Sequence, residues 1–152
     1  MEEDFKDFVE AGRIAKKAQD LAEKLAKPGM PLLELAEKVE AEIKNLGGSL
    51  AFPINLSKNS IAAHYTPCIE DKQIINEKDI LKIDLGVHIN GAVCDCAFTI
   101  DFSGENGKLV DAARNALEDA LSIAKAGVRT GEIGKAIEQA IMTAVFVTIT
   151  GS

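Results

Sequence analysis

Hydrophobic positions recur every three or four residues at the start of the chain. Phe5, Phe8, Val9, Ile14, Ala18, Leu21 and Leu25 fall on one stripe, which predicts a long amphipathic helix stopped by Pro28-Gly29. Leu32, Leu35, Val39, Ile43 and Leu46 form a second stripe between Pro31, suited to a helix start, and Gly47-Gly48, suited to its end. The period then changes. "SLAFPINLS" reads as a strand in which Pro53 limits pairing, and "KNSIAAHYTPCIEDKQIINEKD" as a strand or loop ending in turn-rich charged sequence. Two apolar runs, "LKIDLGVHI" and "AVCDCAFTIDF", meet at Asn90-Gly91 and predict a hairpin. "SGENG" is a loop, and a helix from about Lys108 to Ala126 is closed by Gly127. A last helix begins near Gly131. The closing "MTAVFVTITGS" carries no charge, and its β-branched "VFVTIT" predicts a buried final strand.

At 152 residues the expectation is one domain, burying roughly 70% of its unfolded surface. With one Tyr, six Phe and no Trp, its core must be aliphatic and rich in alanine. The net charge of −7, without any basic run, argues against nucleic acid or an anionic membrane as partner. It suits cationic ligands, such as a metal ion or a free amino terminus. The acidic start is unlike a signal peptide, and no apolar run approaches the ~20 residues that span a bilayer. These features lead to an expected cytoplasmic location. Cys68, Cys94 and Cys96 are odd in number and form no Cys-x-x-Cys pair, so they read as small reduced hydrophobes.

The hairpin carries two aspartates, Asp84 and Asp95, in otherwise apolar strands. A two-residue type I′ turn at Asn90-Gly91 would set Ile89 against Ala92, Asp95 against Gly86 and Asp84 against Ala97. Both carboxylates then lie diagonally on one face, with Cβ atoms roughly 7–8 Å apart. The small residues opposite leave room above the sheet. Two carboxylates on a dry face repel, so one is protonated or a cation lies between them. Two hard divalent ions about 3.5–4 Å apart would be bridged well by such a pair. A solvated face bearing ordinary exposed aspartates fits the same pattern. His88 shares the face but lies about 13 Å along the strand from Asp84, which favours a structural, hydrogen-bonded histidine. His64, in "AAHYTP", stands between small residues and a Thr-Pro turn. A neutral imidazole there could donate a proton or a hydrogen bond to a substrate, with a structural role as the alternative.

"SIAAHYTP", "LKIDLGVHINGAVCDCAFTIDF" and "GKLVDAARNALEDALSIAKAGVRTGEIGKAIE" together resemble the methionine aminopeptidases of type 2, in an archaeal-like form. The resemblance runs from roughly residue 3 to residue 141. Aminopeptidase P and prolidase share the paired aspartates, but the "HYTP" context favours the methionine enzymes. The resemblance implies an α/β (α+β) chain forming half of a pita-bread (creatinase/aminopeptidase) fold, a curved antiparallel sheet with covering helices. It implies removal of the initiator methionine from nascent proteins by a hydroxide that bridges two divalent metal ions. By that resemblance Asp84 would bind one metal and Asp95 both. His64 would be catalytic and substrate-binding, contacting the scissile amide. Co, Mn, Fe, Zn and Ni are not distinguished. The implied partner is a peptide or nascent-protein N-terminus, with the ribosome a further candidate.

The chain also departs from the family pattern. The family's metal site takes a later histidine and two glutamates, whereas His64 and His88 are the only histidines here. Residues 1–141 are therefore expected to be the N-terminal half of the catalytic domain and 142–152 a divergent tail. A frameshift or premature stop, a truncated fragment and a standalone half-domain each account for this. In every case the chain alone is expected to be inactive. The rival readings are a non-enzymatic binding protein on the same fold, an Xaa-Pro peptidase relative, and a soluble α/β domain with solvated aspartates.

Overall fold

The computed structural model describes residues 5–150, without the side chains of 145–150. Seven elements follow in the order α1 (Lys6–Leu25), α2 (Leu32–Asn45), β1 (Ser49–Lys58), β2 (Ile80–Ile89), β3 (Ala92–Asp101), α3 (Gly107–Ile123) and α4 (Thr130–Thr150). They divide into two compact units, one ending at Ser103 and the other beginning at Gly104.

In the first unit the three strands form an antiparallel sheet in the order β1-β2-β3, and α1 and α2 pack against it. Strand alternation sorts β2 cleanly. Leu81, Ile83, Leu85 and Val87 are buried in the core, while Lys82, Asp84 and His88 are half-buried on the other face. Ile14, Leu32, Leu35, Val39 and Ile43 of the helices meet this inward row, joined by Ile54 and Leu56 of β1 and by Ile75. Each such aliphatic side chain contributes roughly 1.5–3 kcal/mol by leaving water. Gly48 sits where the exit from α2 crosses the sheet. A Cβ there would come within 2.9 Å of Val87 Cγ1 and 3.3 Å of Ile14 Cγ2.

The buried face of α1 shares only Ile14 and Ala18 with the predicted stripe, of which Leu21 and Leu25 are half-buried. It consists of Ala11, Ile14, Ala15, Ala18 and Ala22, whereas Phe5, Phe8 and Val9 are 65%, 50% and 61% exposed. Small side chains let the helix lie close to β2, whose branched residues fill the interface. The first turn reaches past that row.

Pairing of β1 with β2 slips between Leu50 and Phe52 and again between Phe52 and Asn55, around Pro53. Proline has no N–H to give the ladder, so this irregularity was expected. The long connection from β1 to β2 is stitched down at both ends. Its returning part pairs with the α1–α2 turn, where Ile75 N donates to Met30 O and Leu32 N to Gln73 O, both at 2.9 Å. At its end Lys58 Nζ meets Asp79 Oδ2 at 2.7 Å, and Asn59 Nδ2 donates to Asp79 Oδ1 at 2.9 Å. Burial alone would raise the Asp79 pKa, but hydrogen bonds from Lys58, Asn59 and the Asn76 backbone outweigh it and hold the carboxyl down at about 2.

In the second unit α3 and α4 pack on each other. The strand expected of "VFVTIT" is not formed, since α4 continues as helix to Thr150. β-Branched residues cost a helix only a few tenths of a kcal/mol each, and an established helix gains a hydrogen bond per added residue. Local propensity is overridden there.

Candidate functional site

Asn90 and Gly91 both take left-handed backbone angles, φ 49° and 89°. That pair defines the type I′ turn, and glycine adopts it without a Cβ penalty. Ile89 consequently faces Ala92, Gly86 faces Asp95 and Asp84 faces Ala97. The two carboxylates share one face on a diagonal, as the spacing predicts. Asp95 is exposed and Asp84 half-buried. The face is thus open rather than dry, and burial does not sharpen the repulsion between them.

Asn55 of β1 lies directly across from Asp84 and donates from Nδ2 to Asp84 Oδ2 at 3.4 Å. Among the described residues neither Asp84 nor Asp95 forms an ion pair, and no third His, Cys, Asp or Glu joins them in a cluster. Two uncompensated carboxylates are hard oxygen donors, and this donor chemistry fits a hard divalent cation. Phe52 adds an apolar wall. Its ring lies where a Gly86 Cβ would project, on the carboxylate face.

His64 stands in the β1–β2 connection with φ 64°, exposed to solvent. The next residue fixes the loop to the outer edge of β1. Leu56 N donates to Tyr65 O at 2.7 Å, and Tyr65 N donates to Ser57 Oγ at 3.2 Å. The Tyr65 hydroxyl donates to Asp71 Oδ2 at 2.7 Å and accepts from Gln73 Nε2. Donation to the Asp71 carboxylate raises the phenol's pKa. Thr66 Oγ1 donates to Asn55 Oδ1 at 2.9 Å, so the His64 loop reaches the residue that touches Asp84. No hydrogen bond joins His64 itself to either carboxylate among the described residues.

His88 accepts from Gly91 N at 3.4 Å, in keeping with the hydrogen-bonded histidine expected there. Cys94 and Cys96 are half-buried against the core, but Cys68 is exposed and is no part of it. It lies in a loop rather than in a strand, so nothing turns it inward. Burial, then the neighbouring Cys94 and the two aspartates, push the Cys96 thiol up to about 12. Asn55, Thr66 and Phe52 escaped the sequence reading. Asn55 alone left a local signal, as a polar residue between Ile54 and Leu56.

Residues 6–151 match metallopeptidase family M24. The chain belongs to that family. Among M24 relatives it is 54% identical over 138 residues to the methionine aminopeptidase of Pyrococcus horikoshii, covering 91% of this chain and 47% of that one. It is 50% identical over 135 residues to the Archaeoglobus fulgidus methionine aminopeptidase, covering 88% and 46%. With that of Methanothermus fervidus it shares 40% identity over 147 residues, covering 88% and 78%. The chain spans about half the length of the first two relatives. A methionine aminopeptidase structure from Thermotoga maritima superimposes with a TM-score of 0.81 at 24% identity, over 88% of this chain and 57% of that one. Escherichia coli aminopeptidase P with the inhibitor Pro-Leu gives 0.80 at 21%, over 91% and 32%. These likenesses establish the pita-bread fold of M24 aminopeptidases. Membership of the family implies a divalent metal cofactor. Among the described residues no helix is long and apolar enough to cross a membrane.

Proposed function

We propose that the protein serves in metal-dependent removal of the N-terminal methionine from peptides and nascent proteins, in the cytoplasm and near the ribosome. One observation carries this reading. The Asn90-Gly91 turn sets Asp84 and Asp95 on one open face, with the small residues Ala97 and Gly86 opposite them across the hairpin and Asn55 beside Asp84 on β1. When bound, a divalent ion supplies Lewis acidity and lowers the pKa of water toward neutrality. Asp84 and Asp95 would hold the metal, with Asp95 shared between two ions in a dinuclear centre. Neighbouring hydrogen bonds orient such ligands, as Asn55 does for Asp84. His64 would donate a hydrogen bond to the scissile amide. The Phe52 ring offers a wall suited to a flexible thioether side chain.

The three relatives named above, at 40–54% identity, are methionine aminopeptidases, which supports this reading over an Xaa-Pro peptidase. With two carboxylates as the donor set among its described residues, the 152-residue chain alone is expected to bind metal weakly and to release no methionine. The test is a chimera in which this chain replaces the 138 matched residues of the Pyrococcus horikoshii relative. It should release methionine from Met-Ala-Ser and lose that activity on Asp84→Asn or Asp95→Asn. A folded, metal-loaded chimera that releases none would overturn the reading.

A further inference from the structure

We propose that Asn55 is a positioning residue that couples the Asp84 carboxylate to the loop carrying His64. An ionised carboxylate only accepts hydrogen bonds. Asp84 therefore dictates which end of the Asn55 amide faces it. The amide nitrogen must point to Asp84 Oδ2, which it reaches at 3.4 Å. The amide oxygen then points the other way and takes the Thr66 hydroxyl at 2.9 Å. The result is a directed relay in which Thr66 donates to Asn55 and Asn55 donates to Asp84.

Its two ends belong to different parts of the chain. Asp84 lies in β2, while Thr66 follows His64 and Tyr65 in the connecting loop. His64 is exposed and sits in the left-handed region, and among the described residues its side chain makes no hydrogen bond. The Tyr65 backbone bonds hold the loop to β1, and the relay ties it to the carboxylate face. The identity of Asp84 as a metal ligand rests on the function proposed above, whereas the coupling itself is testable without metal.

The experiment follows hydrogen–deuterium exchange of the Tyr65 amide in the full metal-free chain. Thr66→Val, at an exposed position, and Asn55→Ala should each speed exchange several-fold, and the double variant should add nothing further. Asn55→Asp keeps an acceptor for Thr66 but sets two carboxylates face to face, so it too should speed exchange. Adding Asp84→Asn to it exchanges donor and acceptor roles and should restore the slow rate. A swapped pair that exchanges as fast as Asn55→Asp alone would overturn the coupling, as would an Asn55→Ala chain indistinguishable from wild type. The second readout is Co2+ absorption. Asn55→Ala should weaken Co2+ binding about ten-fold, as loss of an orienting partner does. Unchanged affinity would contradict the positioning role. If the wild-type chain takes up no Co2+, the metal reading fails, and the exchange result still decides the coupling.

Discussion

Asp84 and Asp95 stand one diagonal apart on the open face of the β2–β3 hairpin, with Ala97 and Gly86 opposite them across the hairpin and Asn55 of β1 on the other side of Asp84. Nothing among the described residues neutralises them by an ion pair. At roughly 7–8 Å through a watery dielectric, two like charges repel by about 0.5 kcal/mol. Asp95→Asn in the metal-free chain should therefore leave stability unchanged or raise it by up to about that amount. Urea denaturation measures this, and a loss above about 1 kcal/mol would show a structural role for the carboxylate.

Gly86 is required by contact. A Cβ at this position would run into the Phe52 ring and come within 2.9 Å of the Ala51 Cβ. Gly86→Ala should cost about 1–3 kcal/mol, the usual penalty of overpacking, and a paired Phe52→Leu should recover part of it. A thermal melt of the single and double variants checks both expectations.

Asp79 should make the chain acid-sensitive in a narrow window. Its folded pKa of about 2 lies below its ordinary value of 3.8. The stability it contributes is full above the unfolded pKa and is lost as pH falls through the folded one, between about pH 4 and pH 2. The amount is about 2 kcal/mol. Asp79→Asn should abolish this step in a pH series of denaturation curves. At neutral pH the same change should cost roughly 1–3 kcal/mol, because the Lys58 ammonium, only 12% exposed, loses its counter-charge and keeps the Ile74 carbonyl at 2.7 Å.

Cysteine labelling should be selective. Cys68 is exposed, while Cys96 is half-buried with its thiol pushed up to about 12 and directed at Leu85 O. Iodoacetamide at neutral pH should modify Cys68 first and Cys96 only on unfolding. Peptide mapping that found Cys96 labelled first would contradict the strand orientation described for β3.

The hairpin was legible in the sequence because two independent signals agree there. Asn-Gly specifies the turn, and period-two alternation fixes which residues go inward, so register and face followed without further information. Periodicity is a weaker guide on α1, where it identifies the helix but neither the alanines Ala11, Ala15 and Ala22 of its buried face nor how far the core extends; Phe5, Phe8 and Val9 fall beyond it. It misled at "VFVTIT", where β-branching suggested a strand and helix propagation prevailed. The contacts of Asn55 were out of reach for another reason. They depend on a loop folding back so that Thr66 meets a residue eleven positions earlier, and no local pattern encodes that return.

The most direct test of the account is calorimetric titration of the 152-residue chain with Co2+ or Mn2+, beside Asp84→Asn and Asp95→Asn. Weak binding by the wild type that either substitution abolishes is the expected result. Equal binding by all three proteins, or tight uptake of two ions by the wild type, would mean that these two carboxylates are not the metal-holding pair.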